Sequence, residues 1–267
     1  MRLLYQSMTP VHALPNYAEA LQKHAGQLCS PGTEVVLNGM PARFFEGSSP
    51  TEVYRYPYAK HRIASEVIEI GRRAEAEGYD AYVLGSFSEP FLTELRSVLQ
   101  IPVVSMAESC ALVACSLAEQ FAFVSLSAIS ARRLKSIVKK HGLESRVSGF
   151  HALAEPVNEH ALNASFSDPR QLIANFTAAA NEAIDAGADL VIPAEGVMTE
   201  VLFFGGLRSV AGATVMDCVG ATLCQAEMLV NLQQRGGMGV GRRWAYPRPP
   251  EEMLERLQSA AAATSAG

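Results

Sequence analysis

The stretch GADLVIPAEGVM, Gly187–Met198, organises the reading of this chain. Its apolar centre, Leu190-Val191-Ile192, has the length and content of a strand buried on both faces of a parallel sheet. Ala194, Glu195 and Gly196 follow at once, and a helical segment then begins. A carboxylate just past a buried strand, where a helix opens, is where α/β proteins place their chemistry. The stretch has an upstream echo in GYDAYVLGS, Gly78–Ser86, which sets Asp80 against Asp189, Val83 against Ile192 and Ser86 against Glu195.

The echo extends to both sides. Leu3–Thr9 aligns with Phe121–Ser127, and Ile101–Ser105 aligns with Ala213–Asp217, in the same order and at nearly the same offset. A duplicated α/β unit is expected. Each copy should form a parallel sheet, with a pseudo-two-fold setting the carboxyl edges of the two sheets across a cleft.

The totals bound the function. The chain has 267 residues, 49% of them hydrophobic and 18% charged, enough for a sizeable core in one large or two ordinary domains. A net charge of −5 offers no basic footprint for nucleic acid. No apolar run reaches 18 residues, and the N-terminal apolar part is too short for a secretory signal, so a cytoplasmic protein is expected. The five cysteines form no CxxC pair; Cys110 and Cys115 lie in an apolar helical run and read as core thiols. The six histidines have no metal-ligand spacing, so no metal is expected.

In chain order, Arg2–Gln6 reads as a strand, residues 16–28 as a helix and Glu34–Leu37 as a strand. Asn38–Tyr58 is a long loop rich in aromatics and proline, expected to be an ordered lid. Helical spacing runs over 59–77, and further helices are expected over 89–99, 107–117, 128–141 and 168–186. The basic residues of the 128–141 helix, Arg132, Arg133, Lys135, Lys139 and Lys140, read as a solvated face. Residues 156–166 read as irregular. A helix over 219–234 ends at a glycine-rich tail that follows a helix rather than a strand, so a dinucleotide loop is excluded by context. The remainder reads as a strap with a short terminal helix.

The strand ends put Ser7 and Thr9, Ser86 and Ser88, Ser125 and Ser127, and Glu195 near the two facing edges. Hydroxyls and helix-start N–H groups there would form a donor cage for a carboxylate or imide oxygen. The same residues also suit ordinary helix caps. Glu195 is the candidate base. A helix start favours its anion, while burial in a cleft opposes it, and the balance can place a base near neutral pH. One base supports a double-bond shift, protonation after decarboxylation, or activation of a water. Ser86 would orient or donate, or act as a nucleophile with His61 as its base. Phe87, Gly196 and Val197 flank these residues and are expected at the substrate.

The order of elements, the repeat, PVVSMAES at 102–109 and VMDCVGATLCQAEMLV at 215–230 resemble the aspartate/glutamate/hydantoin racemase superfamily, nearest its hydantoin racemase branch. The resemblance covers about Arg2–Leu232. It implies two flavodoxin-like lobes, residues 1–117 plus 219–267 and residues 118–218, with the active site between them and the last helix returned to the first lobe. It also implies a small-molecule substrate, no cofactor and homo-oligomeric assembly. The family's racemases use one cysteine per lobe as acid and base. Ser86 stands where the first would be and Glu195 where the second would be; the family's Asn-Pro-Asn-like first loop is Ser7-Met8-Thr9 here. The reading is therefore a cofactor-independent isomerase or decarboxylase acting on a small carboxylate, imide or other carbonyl compound. A hydrolase of a cyclic amide or ester is the alternative, and a non-catalytic small-molecule sensor the third.

Overall fold

The computed structural model describes residues 1–265. Its first sheet has the parallel strands β1 (Arg2–Ser7), β2 (Glu34–Asn38), β3 (Ala81–Gly85) and β4 (Val103–Ser105), in the order β2-β1-β3-β4. The second has β5 (Phe121–Ser125), β6 (Val147–Ala152), β7 (Leu190–Pro193), β8 (Ser209–Val210) and β9 (Ala213–Val215), in the order β6-β5-β7-β9-β8. Apart from β8 the second order repeats the first. Ala211 and Gly212 both have positive φ, 45° and 89°, and turn β8 back antiparallel onto β9 as a two-residue hairpin.

The internal repeat holds at the level of register. Leu3 pairs with Ala81 across β1 and β3, and Phe121 with Leu190 across β5 and β7. Tyr82 pairs with Val103, and Val191 with Val215. These are the residues that the sequence offsets match.

The helices are α1 (Pro15–Leu28), α2 (Pro50–Tyr54), α3 (Pro57–Ala64), α4 (Glu66–Ala76), α5 (Leu92–Val98) and α6 (Met106–Leu117) in the first unit. In the remainder they are α7 (Ala128–Lys140), α8 (Glu159–Ala164), α9 (Arg170–Asp185), α10 (Gly196–Phe204), α11 (Cys218–Gly236) and α12 (Glu251–Ser265). Among the described residues, no helix is long and apolar enough to cross a membrane. Strand alternation sorts the side chains of the first sheet. Leu3, Tyr5, Ala81 and Val83 join a core that continues through both sheets. Leu4, Tyr82 and Leu84 face the other way, into a smaller core with α4, α5 and Leu254 of α12. Helix α11 leaves the second sheet and packs on α6, α1, β3 and β4.

Several expectations need correction. The expected loop over 38–58 contains a turn of 3-10 helix at Ala42–Phe44 and then α2, which opens with a capping box of Ser49 and Glu52. The helical run over 59–77 is two helices, α3 and α4, meeting at Ser65. The helix expected from residue 89 starts at Leu92, because Glu89 and Phe91 hold left-handed φ of 42° and 55°. The supposedly irregular 156–166 segment holds α8, capped by Asn158. The basic face of α7 is not simply solvated: Lys140 meets buried Glu89 at 3.5 Å, and Arg133 is half-buried. Of the two expected core thiols Cys110 is buried, whereas Cys115 is half-buried at the edge of the apolar run. The tail is a strap, with Arg242 donating to the carbonyls of Arg96, Ser97 and Leu99, and α12 is fifteen residues long rather than short.

Candidate active site

The carboxyl ends of β1, β3 and β7 open into one cavity of about 160 Å³. Of the expected residues, Ser7, Thr9, Ser86, Phe87, Ser88, Glu195 and Gly196 line it. The first sheet supplies the same device twice. Ser7 Oγ accepts from the Thr9 N–H at 3.2 Å and lies 2.8 Å from Thr9 Oγ1. Ser86 Oγ accepts from the Ser88 N–H at 3.2 Å and lies 3.0 Å from Ser88 Oγ. These are hydroxyl turns rather than helix caps. Because Ser7 pairs with Gly85 across the sheet, they sit side by side. Gly85 is required at this position: a Cβ there would meet the Tyr5 ring at 2.2–2.5 Å.

The facing wall is Glu195, the N-cap of α10, which accepts from the Met198 N–H at 2.6 Å. Withdrawal from water raises its carboxyl pKa to about 7, helped by the nearby Glu159 charge and opposed by the N–H groups of Met198, Val197 and Gly196. Tyr17 completes this wall. Its hydroxyl would lie 3.0 Å from a Cβ on Gly196, and burial holds it protonated well beyond the usual phenol range. The site therefore has a carboxyl group poised near neutrality, facing neutral hydroxyl donors.

The remaining expected residues lie elsewhere. Val197 is buried and contributes its N–H to Glu195 rather than a side chain to the cavity. Ser125 Oγ turns inward onto the carbonyls of Ser127 and His151, at 3.1 and 3.3 Å, and Ser127 caps α7. His61 is exposed, packs edge-on against Phe91 and does not line the cavity.

Several lining residues lay outside the strand-end pattern. Thr51 and Tyr54 come from α2, Lys60 from α3, and Glu159 from α8. Ser130, Arg133, Leu134 and Ile137 follow i, i+3, i+4, i+7 spacing, one stripe of α7. Glu159 accepts from the Thr51 N–H at 3.2 Å and the Thr51 hydroxyl at 2.5 Å, which ties α2 to α8 of the second unit. Tyr54 donates to the Met8 carbonyl at 2.9 Å. Of this group only Thr51 and Tyr54 fall in the aromatic 38–58 segment that the sequence marks out.

Two buried ionic clusters support the walls. His24 bridges Glu200 at 2.7 Å and Asp217 at 3.1 Å, joining α1, α10 and the cap of α11. Glu89, directly after the Ser86–Ser88 turn, accepts from His141 at 2.8–2.9 Å and from the Ser105 hydroxyl.

Two sheets of like strand order, parallel apart from β8 and meeting at a cavity formed by strand ends, define a two-lobed α/β protein of the racemase type. Residues 16–226 match the Asp/Glu/Hydantoin racemase family, and the chain belongs to that family. Its relatives include the hydantoin racemase of Pseudomonas sp. (strain NS671), 27% identical over 70% of this chain and 72% of the relative. The hydantoin racemase of Paenarthrobacter aurescens is 25% identical over 89% and 96%. Among solved structures, allantoin racemase from Klebsiella pneumoniae superposes with a TM-score of 0.72 at 21% identity, covering 94% of each chain, and shares the fold.

Proposed function

We propose that this chain is a cofactor-independent enzyme of the racemase family in which Glu195 is the proton-transferring base. Its substrate is a small carboxylate, imide or other carbonyl compound, and its reaction is an isomerisation or a decarboxylation. The observation that carries this is the placement of Glu195, with its pKa near 7, across one cavity from the Ser7/Thr9 and Ser86/Ser88 hydroxyl pairs. The hydantoin racemase relatives support a substrate with an acidic C–H beside a carbonyl. Glu195 removes that proton, the hydroxyls and Tyr17 donate to the oxygen that becomes negative, the double bond shifts, and the protonated Glu195 returns the proton on the same face to the far carbon of the delocalised anion. In decarboxylation the same hydroxyls hold the developing enolate and Glu195 delivers a proton to carbon. Ser86 and Glu195 stand where we place the family's two cysteines, and the lobes are taken as 1–117 with 219–267, and 118–218.

The Ser86 nucleophile is disfavoured, because the partners of its hydroxyl are Ser88 Oγ and the Ser88 N–H, neither of which is a base. The test is exchange in heavy water with a panel of hydantoins, small imides and 2-substituted malonates. Isomerisation should put deuterium on the acidic carbon of a recovered compound, and decarboxylation should put it on that carbon of the product. Incorporation of labelled water oxygen without carbon deuteration would instead establish a hydrolase, and binding without either would establish a sensor.

A further inference from the structure

Two cations line the cavity that the proposed chemistry does not use. Lys60 reaches it from α3 in the first unit, and Arg133 from α7 in the second. Both are half-buried. Among the described residues, neither makes an ion pair with a carboxylate; the protein partner of Arg133 is the Arg55 carbonyl, which accepts from Nη2 at 3.1 Å. The carboxylates that share the cavity are engaged elsewhere, Glu159 by Thr51 and Glu195 by the start of α10.

Two like charges lining one cavity and partly withdrawn from water are unfavourable in the empty protein. Burial and then Arg133 both push the Lys60 ammonium below its usual range. An anion placed between them relieves the repulsion and satisfies the idle donors. The Arg133 stripe also supplies Leu134 and Ile137, so the surface beside the cations is apolar.

We propose that Lys60 and Arg133 form an anion subsite of the cavity, which takes a carboxylate carried by the substrate in addition to the carbonyl group handled at Glu195. The substrate is then a small amphipathic anion, with its charge at α3 and α7 and its apolar part along Leu134 and Ile137. Its identity as a substrate group rests on the function proposed above; the anion subsite itself does not.

Phenylacetate and its neutral amide, phenylacetamide, test the subsite by ligand-observed NMR titration of the full chain at low salt. Phenylacetate should bind at least about tenfold more tightly than the amide, the scale of a charged hydrogen bond. Lys60→Met and Arg133→Met should each remove most of that preference, and Lys60→Arg should keep it. Raising the salt should weaken the acid and leave the amide unchanged. Equal binding of acid and amide, no binding of the acid, or an unchanged preference in both methionine variants would overturn the proposal. Retention by Lys60→Arg guards against loss through misfolding. The heavy-water exchange depends on Glu195, so its failure would count against the base and leave these titrations standing.

Discussion

Glu195 carries the chemical claim, and its surroundings make it testable. Glu195→Gln keeps the size and the hydrogen-bonding atoms while abolishing the base, so turnover should fall by about 10²-fold or more, the usual worth of a general base. Wild-type kcat/KM should show a limb near 7, set by the raised Glu195 pKa, rising with pH where Glu195 abstracts the proton in isomerisation and falling where it delivers one after decarboxylation, and the variant should lack that limb. The raised value also has a stability sign. The folded state holds this proton more tightly than the unfolded chain, so its contribution falls as pH rises from about 4.5 to about 7. Denaturant titrations should therefore show Glu195→Gln gaining on the wild type across that window. The thiols make a contrasting case. Cys110 and Cys218 are buried, Cys224 is exposed, and no cysteine lines the cavity. Iodoacetamide should label Cys224 first and leave turnover largely intact; rapid loss protected by substrate would place a thiol in the chemistry.

Helix α10 presents Glu195, and the His24 cluster fixes α10 against α1 and α11. Burial alone would lower the His24 pKa, but its hydrogen bonds to Asp217 and Glu200 outweigh that and lift it to about 9. The ring also stacks on Phe203, with centroids 3.7 Å apart. His24→Ala leaves the Glu200 charge buried without its partner, which typically costs about 3–5 kcal/mol. Because the folded value is raised, the cluster's contribution is complete below about 6.5 and is lost as pH rises through about 9. The difference in unfolding free energy between wild type and His24→Ala should therefore shrink as pH rises from about 6.5 to about 9 and level off above that.

Most strands were legible because they are short apolar runs ending in polar turns, and the repeat matched those of one unit to those of the other; β8, two residues long, carried no such signal. Helices α2 and α8 were not: at five and six residues they are too short to show a period, and they form through caps and packing. That is also why Thr51 and Glu159 do not stand out in the sequence as site residues. Arg133 is hidden in the sequence for a different reason. A charged residue at a helical spacing does not reveal whether water or a second lobe faces it.

At the scale of the molecule, the two sheets share their larger core. One apolar cluster runs from Leu3 and Val83 through Phe121 and Val191, and α11 spans the junction. Thermal unfolding should therefore be a single transition with matching calorimetric and van't Hoff enthalpies. Release of a folded 118–218 fragment by limited proteolysis would contradict this. The position of α11 late in the chain has a consequence for biosynthesis. All four strands of the first sheet have left the ribosome well before the helix that covers them. From Leu117 to the end of α11 at Gly236, translation takes on the order of 10 s at typical rates. During that interval the side of β3 and β4 destined for α11 is bare apolar surface on a nascent chain, a ready landing place for chaperones and for neighbouring chains on the same polysome.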